Sequence, residues 1–91
     1  MKNDEIHTFS AILTNLESWR VAPLPASFVI EAVQPFGRTP VIATLGEKSW
    51  STSLWTSKEG ETMIAVPKKI RGKLDAGDEV TIFFIYDYER F

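Results

Sequence analysis

The sequence predicts a mostly β fold, a small closed six-stranded β-barrel with two short helices. Three observations support this prediction. Segments rich in β-branched and aromatic residues, some with clear apolar–polar alternation, recur along the chain and are typical of strands. Pro25 and Pro67 each stand where a short helix can begin, because the fixed φ of proline suits the first helical turn. Glycine and aspartate cluster between these segments, as in turns.

The first half of the chain is expected to supply three strands and one helix. The strands are predicted over residues 6–14, 19–22 and 40–45. The helix begins at Pro25, and its apolar face holds Phe28, Val29, Ala32 and Val33. It ends near residue 34, because Pro35 disfavours helical geometry in the residue before it.

The second half is expected to supply three more strands and the second helix. The strands are predicted over residues 48–55, 61–66 and 79–87, and the helix over residues 68–74. Alternation in residues 48–55 places Trp50 and Leu54 on the core face and serines 49, 51 and 53 on the other. Residues 79–87 form a nearly continuous apolar run, which predicts burial on both faces of that strand.

The two halves share an order of parts, namely strand, proline-begun helix, glycine turn and strand. Apolar residues follow Pro25 and Pro67 at the same offsets, +3 and +7. A duplicated unit would let a short chain close a barrel about a pseudo-twofold axis and so remove exposed sheet edges. The alternative is that any small β protein with two proline-capped helices shows this order.

Length and composition bound the protein class. A chain of 91 residues with 44% hydrophobic and 24% charged residues fits one globular domain, residues 1–91, with residues 1–5 as a flexible tail. The absence of cysteine excludes disulfides, thiolate metal sites and a cysteine nucleophile. A net charge of −2 argues against nucleic acid as a partner, because phosphate binders are usually basic. With no signal peptide or apolar span of about 20 residues, we expect a cytoplasmic protein without membrane partners.

An ordered set of short motifs along nearly the whole chain resembles the uncharacterised DUF1905 family. The motifs are Phe9-Ser10-Ala11, Leu24-Pro25, Pro40-Val41, Thr44-Leu45-Gly46, Trp50-x-Thr52-Ser53-Leu54, Gly60, Pro67-Lys68 with Arg71, and Leu74-x-x-Gly77-Asp78-x-Val80. In that family the small barrel occurs alone or joined to a YdeI-like domain. The resemblance implies a barrel fold and supplies no catalytic residues. The chain departs from the family pattern at Asp75 and Ala76.

A second, local resemblance covers residues 66–83. This stretch is similar to the swapped-hairpin module of AbrB-type transcription regulators, which dimerise and bind DNA through basic residues. The similarity implies either DNA binding or simply shared barrel geometry, since it requires only a proline-capped helix, a leucine anchor and a Gly-Asp turn.

Five residues are candidate ligand contacts. Lys68, Lys69, Arg71 and Lys73 lie on the second predicted helix and could bind an anion, although the alternative is a solvated helix face. Trp55 is out of phase with Trp50 and Leu54, so it is expected on the surface as a stacking platform for a ligand or partner. Trp55 and the tail from Tyr86 to Phe91 also leave a homo-oligomer open.

Catalytic signatures are scarce. His7 is the single histidine, and the chain shows no metal motif, nucleophile elbow or phosphate loop, so no metal and no cofactor are expected. Nothing in the spacing of Ser10 or Ser53 supports a serine–histidine pair. The acids Asp75, Asp78 and Glu79 suit a turn better than acid–base chemistry.

Three function hypotheses follow. The preferred one is a non-enzymatic binding or structural module of unknown ligand, because the fold signature is complete and the catalytic one is missing. The second is an AbrB-like DNA-binding protein that uses basic residues 68–73. The third is a small-molecule enzyme with its pocket at a barrel mouth, which predicts convergent polar side chains around a concavity.

Overall fold

A computed structural model describes residues 5–25 and 37–90 of the chain. These residues form one sheet of seven antiparallel strands that curves into an open half-barrel. The strands are β1 (His7–Ile12), β2 (Thr14–Leu16), β3 (Trp19–Pro23), β4 (Arg38–Leu45), β5 (Lys48–Thr56), β6 (Thr62–Ala65) and β7 (Glu79–Tyr86). The mostly β prediction is therefore confirmed.

The strands lie in the order β1-β7-β4-β5-β6-β3-β2. The β4–β5 hairpin is the longest pairing and runs from Arg38 opposite Trp55 to Leu45 opposite Lys48. It turns at Gly46, whose φ of +64° suits glycine in a tight turn. The hairpin forms the centre of the sheet and carries Arg38 and Trp55 on its outer face.

The prediction of a closed six-stranded barrel is wrong. The expected first strand, residues 6–14, is interrupted at Leu13, and the chain continues as β2 to Leu16, beyond the expected end. β1 and β2 pair with β7 and β3, at opposite ends of the sheet. Leu13 bonds through its own backbone to Gly77 and Asp78 and is buried. Because the chain changes neighbours at this residue, the described part of the sheet keeps two ends, at β1 and β2, and stays open.

The second predicted helix is shorter than expected. Instead of residues 68–74, α1 covers Lys68–Arg71, a single turn that begins after Pro67. It ends at Gly72, which has a φ of +60° and donates its backbone N–H to the Lys68 carbonyl. A 3-10 turn, Tyr88–Arg90, follows β7.

Several predictions fall outside the described residues. They are the helix expected at 25–34, apart from Pro25, the tail at 1–5, apart from Glu5, and Phe91. The proposed repeat of two halves also depends on the first of these helices, so the comparison of the two halves stays a prediction.

The core fills the concave side of the half-barrel. Leu54 is fully buried, and Trp50 packs against the core while partly exposed, so the face predicted for both is confirmed. The buried cluster comprises Phe9, Leu13, Ala22, Leu24, Val41, Ala43, Leu54, Ile64, Val66, Ile70, Val80, Ile82, Phe84 and Tyr86. These residues come mainly from the inward-pointing positions of six strands, as the period-2 geometry of a strand requires.

Burial of β7 on both faces, expected from its apolar run, is wrong. Its residues alternate, with Ile82 and Phe84 buried while Phe83 is 45% exposed. The convex face carries no second layer among the described residues. Phe83 and Ile85 therefore form a small apolar patch there with Ile42 and Ile6.

Candidate functional site

Six apolar side chains on the convex face enclose a groove of about 360 Å³. We call it the tryptophan groove, and it is lined by Leu16, Trp19, Val21, Trp55, Met63 and Ala65. Its volume lies at the lower end of the range for small-ligand pockets, about 300 to 1,000 Å³. The lining belongs to four neighbouring strands, β2, β3, β6 and β5.

Strand register brings these side chains together. Val21 of β3 lies opposite Ala65 of β6, and Met63 of β6 lies opposite Trp55 of β5. Trp19 is two residues before Val21, so it points to the same face, and it pairs with Leu16 across the β2–β3 hairpin. Ala65 has the smallest side chain of the six and lies two residues after Met63 on the same face of β6.

The rim of the groove is unusually exposed for such large apolar side chains. Trp19 is 59% exposed, Trp55 46% and Leu16 45%. Exposed large hydrophobic groups that converge on one concavity mark binding sites more often than isolated ones do. Trp55 is thus on the surface, as the sequence predicted.

Arg38 stands beside the groove. It pairs with Trp55 in the β4–β5 register, and its guanidinium carbon lies 5.9 Å from the centre of the Trp55 ring. This is a cation–π contact, which holds the guanidinium against one tryptophan of the rim. Gly37, the residue before Arg38, has a φ of +71° and lies against the backbone of Thr56.

The basic residues around α1 do not act as one group. Lys68, Lys69 and Lys73 are exposed. Arg71 is half-buried and turns back to the fold, where its Nη1 donates to the Val66 carbonyl at 2.9 Å. Lys48 of β5 reaches α1 from the side and donates to the Lys69 carbonyl at 3.0 Å. Three of the four predicted basic contacts are therefore open to an anion, and Arg71 stabilises the turn.

The structure separates Trp55 from the basic residues. Lys48 contacts α1, whereas Trp55 lies seven positions further along β5, roughly 20 Å away at the rise of an extended strand. The five residues predicted as ligand contacts therefore lie at two separate sites in the fold. The groove is one, and the lysine surface at α1 is the other.

The acids near α1 serve the turn that follows it. The Asp78 carboxylate accepts the backbone N–H of Asp75 at 2.9 Å, and Asp75 accepts that of Ala76 at 2.7 Å. Asp75 also forms an ion pair with Arg20 of β3. The hydrogen bond from Arg20, followed by that from Ala76, lowers the pKa of the exposed Asp75 carboxyl below its usual value. These contacts confirm the predicted turn-capping role for Asp75 and Asp78, whereas Glu79 is the first residue of β7.

His7 lies on the concave side, among aromatic rings. Its ring centre is 5.1 Å from that of Phe84 and 5.2 Å from that of Tyr86. Ser10 points to the convex face, where its hydroxyl bonds that of Thr81 at 2.8 Å. The sheet therefore separates His7 from Ser10. Across residues 5–25 and 37–90, no three His, Cys, Asp or Glu side chains are grouped as a metal site would require.

The tail expected to form a contact patch is partly internal. Tyr86 is only 6% exposed and its ring packs against Tyr88, which is 37% exposed. Within the described ranges, no helix has the length and apolar character needed to cross a membrane.

Of the six residues that line the groove, the sequence alone predicts Trp55 as a ligand contact. By contrast, Val21, Met63 and Ala65 lie in predicted strands to which the sequence assigns no site, and Leu16 lies between the first two predicted strands. The available signal was the alternation in β3 and β6, which puts Trp19 with Val21 and Met63 with Ala65. Cross-strand neighbours could not be assigned from a single sequence without the strand order.

Comparison with known proteins identifies the family of the chain. Residues 9–83 match the family model described as a domain of unknown function, DUF1905. Neither a curated protein nor a solved structure matches the chain. The match covers β1 from Phe9 to most of β7 and so includes every strand of the groove. The chain belongs to the DUF1905 family.

Proposed function

We propose that this chain is a non-enzymatic binding module that holds an apolar ligand group in the tryptophan groove. The observation that carries the proposal is the convergence of Trp19, Trp55 and Leu16, each 45% exposed or more, on one concavity of about 360 Å³. Leaving three large apolar side chains in water costs hydration free energy that burial against a ligand would recover.

The chemistry of the lining favours binding over catalysis. None of the six described residues around the groove carries a titratable side chain or a hydroxyl. General acid–base and nucleophilic catalysis both need such groups within hydrogen-bond reach of the reacting atoms. A groove of this kind can stack and desolvate a ligand and cannot itself move a proton.

A neutral fluorescent probe tests the proposal directly. N-phenyl-1-naphthylamine is uncharged, and its fluorescence rises when it leaves water. We expect saturable binding to the native chain, and weaker binding by about 5- to 150-fold in Trp55→Ala, the range for loss of one stacking ring. Trp19→Ala should act in the same direction.

Phe83→Thr is the matched control. It removes another exposed aromatic ring from the same convex face, in the separate patch with Ile42. Probe binding should stay within about twofold of the native value in this variant, because Phe83 is distant from the groove and is not part of its lining. Unchanged binding in Trp55→Ala, or loss of binding in Phe83→Thr alone, would contradict the groove as the binding site.

The lysine surface at α1 supports a second candidate function, DNA binding. Lys68, Lys69 and Lys73 are exposed on or beside one short turn, with Lys48 close by. Opposing this, the ion-paired Asp75 and the exposed Asp78 and Glu79 add negative charge near the same turn.

Salt dependence tests the DNA-binding candidate. If these lysines contact phosphates, fluorescence anisotropy should show duplex binding at 50 mM salt that falls steeply at 200 mM, because each phosphate contact releases counterions. The double variant Lys68→Gln, Lys69→Gln should flatten that dependence. No binding at 50 mM salt would end this candidate, and it leaves the groove proposal untouched.

A further inference from the structure

We propose that the tryptophan groove selects a small planar aromatic ligand that carries an anionic group, and that Arg38 receives the anion. This inference rests on the proposed function and adds the chemical class of its ligand. The aromatic part would lie in the groove against Trp55, and the anion would lie at the β4 side of Trp55.

Arg38 differs from the other arginines in how it is used. Arg20 is paired with Asp75, Arg71 donates to the Val66 carbonyl, and Arg90 donates to Asp87. Arg38 is exposed, and within residues 5–25 and 37–90 its guanidinium has no hydrogen-bond or ion-pair partner beside the cation–π contact with the Trp55 ring. Its guanidinium keeps its N–H donors for a ligand, in the planar fork that suits a carboxylate, sulfonate or phosphate.

Position makes this cation relevant to the groove. The guanidinium carbon lies 5.9 Å from the centre of the Trp55 ring, so the wall that would stack a ligand is also the surface that holds the charge. Contact with the indole orients the side chain in advance, which lowers the entropy lost when it binds an anion. A negative substituent at the edge of a stacked ring could therefore meet Arg38 without leaving the groove.

The charges around the rest of the groove give it a polarity. The lining is uncharged, so no carboxylate inside it opposes an anion. Glu17, exposed in the β2–β3 turn next to Leu16, lies at the far side from Arg38. Arg38 attracts an anionic group at the β4 side, whereas Glu17 at the β2 side and the exposed Glu61, two residues before Met63, repel it.

A matched pair of probes tests the inference on the full chain. 8-Anilinonaphthalene-1-sulfonate is N-phenyl-1-naphthylamine with one added sulfonate, so the pair differs in charge and keeps the aromatic body. We expect the native chain to bind the sulfonate more tightly. In Arg38→Gln the sulfonate should bind roughly 3- to 15-fold more weakly, between the values for an exposed ion pair and a charge-assisted hydrogen bond. Binding of the neutral probe should change by less than about twofold.

Lys58→Gln is the control for overall charge. Lys58 is exposed in the turn that follows β5, a few residues from Trp55, and is no part of the groove lining. Its replacement removes the same charge and should leave the preference for the sulfonate intact. An equal effect of Lys58→Gln and Arg38→Gln would overturn the assignment of the anion to Arg38.

The remaining outcomes separate the inference from the function on which it rests. Equal binding of both probes, with no selective effect of Arg38→Gln, overturns the inference and leaves the groove as a binding site. Failure of both probes to bind overturns the proposed function itself. Concentration-dependent dimerisation in analytical ultracentrifugation that is lost in Trp55→Ala would identify the occupant as a second copy and overturn the small-ligand assignment.

Discussion

Gly37 lets the two strands of the β4–β5 hairpin approach closely at their open end, because it has no Cβ. Its replacement by alanine should therefore destabilise the fold through steric overlap with the backbone. Arg38 pairs with Trp55, so Gly37 lies opposite Thr56, one position further along the ladder. A Cβ built on Gly37 overlaps the Thr56 carbonyl oxygen and comes within 3.2 Å of the carbonyl carbon. Both atoms belong to the backbone of a central strand and cannot move aside without disturbing β5.

Gly46 provides the matched control. Its φ is +64°, close to the +71° of Gly37, yet a Cβ built there meets nothing within 4 Å. In both variants the left-handed conformation of the new alanine destabilises the fold by about 1 to 2 kcal/mol. Both variants are also stabilised by about 0.4 to 1 kcal/mol, because alanine makes the unfolded chain less flexible. The difference between them is the overlap alone. Forced overpacking costs about 1 to 3 kcal/mol more in Gly37→Ala.

Reversible urea unfolding, followed by far-UV circular dichroism, measures that difference. In thermal unfolding followed by the same signal, the melting temperature of Gly37→Ala should lie roughly 5 to 20 °C below that of Gly46→Ala. The dependence of unfolding free energy on urea should be the same in both, which would show that the denatured state is unchanged. Free energies of unfolding that agree within about 0.5 kcal/mol, the usual scatter for surface substitutions, would refute the close backbone approach.

Further substitutions test other parts of the fold. Leu54→Ala should lower the free energy of unfolding by about 2 to 5 kcal/mol in the same urea assay, because Leu54 is fully buried, whereas Ser51→Ala on the outer face should stay within about 0.5 kcal/mol. Arg90→Ala should cost about 1 to 3 kcal/mol, because Arg90 donates to the carbonyls of Val41 and Thr52, and a smaller loss in Arg90→Lys would support this reading. The pKa of Asp75 is lowered in the folded chain, mainly by the hydrogen bond from Arg20. The contribution of this carboxylate to folding stability is therefore complete above the unfolded pKa of about 3.9 and is lost as the pH falls through the folded pKa. The stability difference between the native chain and Asp75→Asn should therefore be constant above about pH 5 and shrink below pH 4, and a difference that grows on acidification would contradict the ion pair.

Local sequence patterns predicted most strands of this fold because their signals are local. Alternation in residues 48–55 assigned the inner and outer faces of β5 correctly, with Leu54 buried and the serines outward. The Gly46 turn and the start of α1 after Pro67 follow from residues with few permitted backbone conformations. These features need no knowledge of which strand lies beside which.

Closure of the sheet could not be predicted in the same way. The residues around Leu13 form an uninterrupted run with high strand propensity, and nothing in that run shows that the chain leaves β7 and joins β3 there. The change depends on the Gly77–Asp78 backbone, more than 60 residues away, which bonds both polar groups of Leu13. A strand that serves two neighbours in turn looks like one strand until its partners are known.

Only the part of the candidate site that depends on a single strand could be predicted from the sequence. Exposure of Trp55 follows from its phase relative to Leu54, which is a property of one strand. The groove needs Trp19 and Met63 from two other strands, so it depends on sheet order. The basic residues of α1 are adjacent in sequence and so looked like a site. The fold uses Arg71 internally, which only coordinates show.

The distribution of apolar groups over the convex face explains why the groove, and not the face as a whole, is the proposed site. Two apolar patches lie there, the tryptophan groove and the patch around Phe83, and β5 runs between them. The outward positions of β5 at this point are Ser49, Ser51 and Ser53, and the Ser49 hydroxyl bonds that of Thr44 at 2.8 Å. A continuous apolar face would favour unspecific association. The serine row interrupts it, so each patch stays small, and of the two only the groove combines aromatic walls with an adjacent cation, the features that can discriminate among ligands.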